Sequence, residues 1–298
     1  MISEKVSVLI TGDIDPTPEA SLAEKRKALQ DTLAAFDGAG VKGTFYIVGN
    51  IVSDYEKILA GMKVSGHEIG CHGLTHDESE EFNRLPYETA RKHIAEATQK
   101  ISRITGRPPV SFRAPRVKSS HMTHQALSDL GYLSDSSVCS QRLDFISSNL
   151  INLHWLFAPR LPYHPHPESA FRRGHSRLWE IPVSACGLPF ISAVLYFFGV
   201  DFMMRFFHLL HREARRTGKP IVYLFHPSEF ASQTTRIRRK TTLKSVASRG
   251  FYFRRHLKLT GSAGERFQKT VQFVKRMSAY PDIEFMTVHE YVKRLNAR

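Results

Sequence analysis

Two acidic residues and two histidines in the first third of the chain have the types and spacing of a metal-dependent hydrolytic site. Asp13 and Asp15 follow an apolar run, and His72 and His76 lie four residues apart. Imidazoles at that spacing can point the same way from a turn or a helix, and neutral imidazole binds Zn, Fe, Ni or Co. With Asp15 added, two histidines and one carboxylate leave coordination positions open for water and substrate. The pattern therefore predicts a catalytic metal site.

Each of these residues also has a structural interpretation, as do Arg113 and His226, which lie at or just after the ends of later predicted strands. The chain contains 15 histidines, so a close pair can arise by chance. Asp13 could cap a helix or stabilise a turn, because aspartate is a common capping residue. Arg113 could pair with a surface acid, and His226 could be a hydrogen-bonded histidine at a strand end. The spacing leaves open which of Asp13 and Asp15 binds the metal and which acts as a base.

The apolar pattern places these residues just after predicted strands. Short β-branched and apolar runs alternate with segments of helical spacing, beginning with a strand at 6–10 and a helix at about 21–39. This alternation predicts βαβ units and a mostly parallel sheet in one α/β domain, 1–298, where function gathers at the carboxyl ends of the strands. Further strands are predicted at 43–48, 68–71, 111–113, 178–182, 221–225 and 283–288, and further helices at about 54–65, 86–105 and 124–130.

Five motifs in a fixed order make the chain resemble the polysaccharide deacetylase family, also called NodB-homology or carbohydrate esterase family 4 proteins. They are Thr11-Gly12-Asp13-Ile14-Asp15, the pair His72 and His76, Phe112-Arg113-Ala114-Pro115, Trp179-Glu180-Ile181-Pro182 and Leu224-Phe225-His226-Pro227. One residue separates the two acids, as in the D-x-D branch of the family. The fourth region departs from the family because its usual Asp-Trp pattern is absent. The resemblance implies a distorted (β/α) barrel of the NodB type.

The resemblance also implies roles for single residues. The expected metal ligands are Asp15, His72 and His76. They would hold one divalent ion, zinc before Co, Ni, Fe or Mn. Asp13 would be the general base, Arg113 would tether and tune it, and His226 would be the general acid. The residues expected to contact substrate are Pro115, Trp179, Glu180 and Glu229.

These roles imply a hydrolase that removes an acetyl or formyl group from the nitrogen of an amino sugar. Two other functions stay open, an allantoinase-like cyclic-amide hydrolase and a non-catalytic carbohydrate-binding relic. A nucleic-acid binder is suggested only by charge, because no helix-turn-helix, zinc-finger or RNP pattern is present. Nucleic acid is therefore not an expected partner, and the sequence does not predict an oligomeric state.

The formal net charge of +14 is large for a chain of this length. Such a surplus attracts polyanions, among them anionic lipid headgroups and phosphorylated substrates. Much of it lies late in the chain, in a predicted basic loop at 236–258. The first residues lack the pattern of a secretory signal peptide, and three cysteines without CxxC spacing argue against a disulfide framework. We therefore expect a cytoplasmic protein.

The segment 187–210 is unusually apolar and aromatic. The run 187–200 is too short to cross a bilayer, and Asp201 and Arg205 interrupt the apolar residues after it. Two interpretations stay open, a core helix that covers the sheet and a membrane-interface insertion at 187–216 facing an anionic membrane. An intracellular deacylase has no external wall polymer as substrate. The apolar and basic surface therefore favours a sugar on a polyprenyl phosphate as the substrate, with a nucleotide-linked sugar as the alternative.

Overall fold

The structure, a computed structural model, describes residues 5–141, 153–232 and 260–297. The strands are β1 Val6–Ile14, β2 Gly43–Ile47, β3 Glu68–Cys71, β4 Ser111–Phe112, β5 Ser134–Asp135, β6 Pro165–His166, β7 Ser169–Arg173, β8 Trp179–Glu180, β9 Ala185–Cys186, β10 Leu188–Pro189, β11 Ile221–Phe225 and β12 Ile283–Phe285. The helices are α1 Leu22–Gly38, α2 Glu56–Val64, α3 Tyr87–Thr105, α4 His121–Asp129, α5 Leu153–Phe157, α6 Ser192–Thr217, α7 Ala263–Ser278 and α8 Val288–Asn296. The basic loop predicted at 236–258 lies outside the described residues.

The main sheet is parallel and runs in the order β11-β1-β2-β3-β4-β5-β8, with β12 also paired to β1. Beyond β8 the chain returns to the opposite edge, where the Ser184 amide donates to the Val222 carbonyl of β11 at 3.1 Å. The sheet therefore curls toward closure while helices cover its outer face. This arrangement confirms the predicted α/β fold with a distorted barrel.

The central strands are buried along their whole length, which explains their near-continuous apolar runs. Every residue of β1, β2 and β11 is buried, as expected for a parallel sheet covered on both faces. Between the sheet and the helices lies an aromatic core that includes Phe36, Phe45 and Phe225, with ring centroids 5.7–6.4 Å apart. This rigid core fixes the carboxyl ends of the strands that carry the site.

Two predicted element boundaries were wrong. β1 continues to Ile14 because Asp13 and Ile14 pair with Tyr46 and Ile47 of β2. Asp13 therefore lies within a strand, and only Asp15 follows it. The strand predicted at 283–288 ends at Phe285, and Val288 begins helix α8.

Helix α6 occupies most of the apolar segment. By length and composition it could cross a membrane, but 56% of its apolar window is buried against the rest of the protein. Its buried side, including Met203, Phe207 and Leu210, belongs to the main core, so most of the helix covers the sheet. The backbone breaks at Gly199, which has φ 83°. Beside this break Phe197 and Phe198 are 52% and 43% exposed.

Candidate active site

The first predicted histidine is held in a fixed orientation by backbone. His72 follows β3, and its Nδ1 lies 2.8 Å from the carbonyl oxygen of Arg113. The Nδ1–H therefore donates to that carbonyl, which leaves Nε2 free to face Asp15 Oδ1 at 3.2 Å. A hydrogen bond of this kind, from the ring nitrogen that faces away from the ion, is typical of metal-ligating histidines because it fixes both the tautomer and the ring plane.

Asp15 faces three imidazoles. Its Oδ2 lies 3.8 Å from His76 Nε2 and 3.5 Å from His226 Nε2. Burial raises the pKa of the Asp15 carboxyl, but the neighbouring imidazoles of His76, His72 and His226 outweigh it and hold that pKa well below its usual range. The ionised carboxylate is therefore the form that this site favours.

The three predicted ligands fit a divalent cation. One ligand atom from each of Asp15, His72 and His76 lies within 4.8 Å of the others. Within the described parts of the chain the buried Asp15 Oδ1 has no hydrogen-bond partner, although His72 Nε2 is close. Potential ligand atoms that face one another without a hydrogen bond between them are what a cation between them would satisfy. Their two imidazoles and one carboxylate suit a catalytic zinc-type ion.

A buried carboxylate shapes the turn that carries the histidines. Glu80 accepts hydrogen bonds from the backbone amides of Leu74, Thr75 and His76, each at 2.8 Å. His76 has φ 66°, a left-handed conformation that costs free energy for a non-glycine residue. On the other side Arg116 donates to the His76 carbonyl at 3.0 Å. Both contacts hold His76 in this strained position beside Asp15.

The other acid of the pair is held by the buried arginine. Arg113 Nη1 donates to Asp13 Oδ1 and to Thr11 Oγ1, both at 2.9 Å. The guanidinium is completely buried and lies 4.5 Å above the Tyr46 ring. The second oxygen of Asp13 lies 3.9 Å from His72 Nε2. Asp13 is thus an oriented carboxylate next to the candidate metal ligands.

His226 joins the site from the end of β11. Its Nε2 faces Asp15, while its Nδ1 lies 3.5 Å from Glu229 Oε1. Tyr196 of α6 donates to Glu229 Oε2 at 3.1 Å. Glu229 therefore contacts the ring nitrogen of His226 that points away from Asp15. This position suits a residue that orients His226 better than the predicted role of Glu229 in contacting substrate.

The remaining predicted substrate contacts have different positions. Pro115 is buried close to Gly73 of the histidine turn. Trp179 lies on the other face of its strand from Glu180, and its indole donates to Asn296 of α8 at 2.8 Å. Glu180 is completely buried. The structure therefore does not bring Trp179 or Glu180 to the site. Successive side chains of a strand point to opposite faces, which directs Trp179 toward α8, and Glu180 is enclosed inside the barrel.

Several residues of the site had no sequence motif. They are Glu80, Ser136 and Tyr196, whereas Thr11 lies in the first motif but had no predicted role. Ser136 holds the guanidinium of Arg113 through its carbonyl at 2.9 Å and its hydroxyl at 2.8 Å. The polar run Asp135-Ser136-Ser137 after a short strand was the available signal, whereas Glu80 and Tyr196 gave none.

Comparisons with known proteins bear on this fold and site. Residues 3–134 match the family model for polysaccharide deacetylase, a region that contains every predicted metal ligand but ends before His226. The peptidoglycan deacetylase-like protein FGM2 of Gibberella zeae is 29% identical over 101 residues, which are 34% of this chain and 29% of that protein. The alignments span about a third of the length of the curated relatives.

Solved structures share the fold over nearly the whole chain. A probable polysaccharide deacetylase from Pseudomonas aeruginosa PAO1 superposes with a TM-score of 0.64 and 13% identity, covering 99% of this chain and 92% of that one. The Puue allantoinase gives a TM-score of 0.63 and 12% identity with the same coverages. At such low identity these likenesses concern the fold alone. The family match confirms the resemblance drawn from the motifs over residues 3–134.

Proposed function

We propose that the protein is a metal-dependent hydrolase that removes an N-acyl group, acetyl or formyl, from an amino sugar. One observation carries the proposal. Asp15, His72 and His76 converge around an unbonded buried carboxylate oxygen, beside the arginine-held Asp13 and opposite His226. The family match over residues 3–134 supports a carbohydrate amide as the substrate.

The chain's own groups divide the work of amide hydrolysis. Asp15, His72 and His76 would hold the cation, which when bound supplies Lewis acidity and lowers the pKa of water. Asp13, oriented by Arg113, accepts the proton of the attacking water. His226, oriented by Glu229, donates a proton to the departing amine. Cleavage of the C–N bond then yields a carboxylate and a free amino sugar.

The acyl group and the sugar are open to direct test. The purified, zinc-loaded protein would be incubated with N-acetylated and N-formylated sugars, both nucleotide-linked and polyprenyl-phosphate-linked, and release of acetate or formate would be measured. We expect release from at least one amino sugar, and loss of that release in Asp13→Asn. Hydrolysis of allantoin without release from any amino sugar would instead establish the allantoinase-like alternative.

We further propose that the substrate is lipid-linked and that the protein contacts an anionic membrane from the cytoplasmic side. Phe197 and Phe198 are exposed at the break in α6, next in the chain to Tyr196, whose hydroxyl contacts Glu229 behind His226. An exposed aromatic pair beside the site on a chain of net charge +14 suits an anionic lipid surface.

Vesicle cosedimentation tests this placement. The protein should sediment with vesicles containing phosphatidylglycerol, less with phosphatidylcholine alone, and less at high salt because salt screens the charges. The double variant Phe197→Ser/Phe198→Ser should lose most of the binding. Leu209→Ser is the matched control, since Leu209 is 50% exposed on the same helix away from the break. Equal binding by both variants would refute contact through the aromatic pair.

A further inference from the structure

A second group of titratable side chains lies inside the barrel. His124 of α4 has its Nε2 2.8 Å from Asp135 Oδ2 and 3.5 Å from Glu180 Oε2. Asp135 ends β5 and Glu180 ends β8, and all three side chains are buried. Neither Asp13 nor the candidate metal ligands belong to this group, which we call the sealed cluster.

Two members of the sealed cluster, His124 and Glu180, have raised pKa values. Desolvation lowers the pKa of His124, but the hydrogen bond to Asp135 and the nearby Glu180 carboxyl outweigh it and raise that pKa to about 9. Burial and the nearby Asp135 raise the pKa of the Glu180 carboxyl to about 8. At neutral pH these pKa values correspond to an imidazolium at His124 and a neutral carboxylic acid at Glu180. Tyr46, Tyr163 and Arg113 also interact electrostatically with these carboxylates.

The sealed cluster is connected to Arg113 through one turn. Glu180 Oε1 accepts the amide proton of Val138 at 3.0 Å. Ser137 donates to Asp135 Oδ1 and accepts the amide proton of Ala114 at 2.8 Å. Between them, Ser136 receives two hydrogen bonds from the Arg113 guanidinium. The turn at 136–138 is thus held by the sealed cluster on one side and grips Arg113 on the other.

We propose that the sealed cluster is a positioning device for Arg113, which fixes the turn at 136–138 and through it the orientation of Asp13. The proposal rests on the proposed function in so far as Asp13 acts as the base. His124, Asp135 and Glu180 act through Arg113 and do not contact substrate. A one-ångström displacement of a catalytic group can cost about a hundredfold in rate, so a buried anchor of this kind has a measurable effect.

The same three side chains could in principle hold a cation. Glu180 Oε2 and His124 Nδ1 have no hydrogen-bond partner within the described residues, but the 2.8 Å contact between His124 Nε2 and Asp135 is a direct hydrogen bond that occupies the nitrogen a cation would need. We therefore expect one bound metal per chain, at Asp15, His72 and His76.

The experiment compares His124→Gln and the nearly isosteric Glu180→Gln with wild type. The control is His67→Gln, because His67 is also buried and paired with a carboxylate, Asp37 at 3.0 Å, but does not contact the turn. The first readout is the ¹⁵N–¹H signal of Arg113 Nε, whose proton is hydrogen-bonded to Ser136. The second readout is the set of kcat, KM and bound zinc per chain.

In His124→Gln we expect faster exchange of the Arg113 Nε proton and a kcat at least about tenfold lower, with KM and one zinc per chain unchanged. In wild type, protection of this proton should fall as pH rises through 8 to 9, whereas Glu180→Gln, which cannot ionise at that position, should keep it to higher pH.

The Arg113 signal makes the test independent of turnover. If no amino sugar is cleaved but the signal responds as expected, the proposed function fails and the positioning role stands. If the signal and kcat of His124→Gln match those of His67→Gln, the sealed cluster does not position Arg113. A second zinc per chain that disappears in His124→Gln would likewise overturn the proposal in favour of a structural metal site.

Discussion

Two groups of histidine and carboxylate side chains lie in this barrel, and they differ in their access to solvent. In the rim group, formed by Asp15, His72 and His76, a buried carboxylate oxygen is unbonded and the His76 side chain is 20% exposed. In the sealed cluster, Glu180 Oε2 is likewise unbonded, but a direct hydrogen bond joins His124 to Asp135, and the side chains are at most 3% exposed. The residue types are nearly the same, but their access to solvent and their hydrogen bonding differ.

The difference shows what identifies a site for chemistry. Proximity of imidazoles and carboxylates is common to both groups. Both groups also contain an unbonded buried carboxylate oxygen, Asp15 Oδ1 in the rim group and Glu180 Oε2 in the sealed cluster. Only the rim group adds a strained left-handed residue at His76 and an approach from solvent. Strain of that kind persists only where surrounding contacts enforce it, here Glu80 and Arg116. The rim group is therefore built to receive a ligand, and the sealed cluster is built to hold backbone in place.

The largest expected effect is the loss of a rim ligand. His72→Ala removes an imidazole that faces Asp15 at 3.2 Å. We expect loss of bound zinc and a fall in kcat/KM of more than about a hundredfold, because even residues that only hydrogen-bond to metal ligands are worth about 10–100-fold. Metal analysis and acyl-release kinetics measure both. His211→Ala, which removes a histidine paired with Asp282 far from the rim, should keep both. Full activity and zinc content in His72→Ala would show that the rim group does not hold the catalytic metal.

Next in size is the effect of Arg113→Lys, which acts where the two groups meet. The guanidinium contacts Asp13, Thr11 and Ser136 at once, whereas an ammonium cannot span them. We expect kcat to fall by about a hundredfold with zinc retained. Arg294→Lys is the control, since Arg294 pairs with the surface residue Glu284. A loss of zinc in Arg113→Lys would show that metal binding by the rim group depends on Arg113.

A smaller effect is expected from Glu80→Gln, which loosens the histidine turn. The amide has one acceptor oxygen in place of two, so at least one bond to the amides of Leu74, Thr75 and His76 is lost. Because Glu80 supports the ligand His76 without itself facing the cation, zinc affinity should fall by about tenfold in chelator competition. Glu284→Gln is the control, because Glu284 pairs with Arg294 away from the histidine turn. Equal affinities in the two variants would show that the turn holds its shape without Glu80.

The two groups also differ in how far the sequence predicted them. The rim group was predictable because His72 and His76 are close in the chain and Asp15 ends a strand that the apolar run revealed. The sealed cluster was not, because His124, Asp135 and Glu180 come from three elements and meet only when the sheet curls. The two-residue strands β4, β5 and β8 are too short to show a period, so the sequence could not place Glu180 inside the barrel.

A helix-start signal in the sequence would have corrected the strand predicted at 283–288. The segment predicted as a strand at 283–288 contains Thr287, which forms a capping box with Glu290 at the start of α8. That spacing is a recognised helix-start signal. The path of α6 was harder to predict, because a long apolar run has the same composition whether it is buried in a core or inserted in a membrane. The break at Gly199 and the burial of one face depend on tertiary contacts.

The smallest expected effect separates the two groups by pH. The folded pKa of His124 is raised to about 9, above its ordinary value of 6.5, so its stabilising contribution is fully present below pH 6.5. That contribution is lost as pH rises through 9, because the folded state then gives up a proton that the unfolded state has already lost. The Asp15 carboxyl has a lowered pKa, so its contribution is present at neutral pH and is lost on the acid side, below the ordinary value of 3.8.

Urea unfolding of the metal-free protein at pH 6.5 and 9 measures this difference. The free energy of unfolding should fall between these pH values by on the order of 1–3 kcal/mol more in wild type than in His124→Gln. Asp15→Asn should leave that alkaline fall intact. An alkaline fall of equal size in wild type and His124→Gln would place the titrating group outside the sealed cluster. Because the Asp15 contribution is lost only on the acid side, Asp15→Asn is the control that assigns the alkaline fall to the sealed cluster.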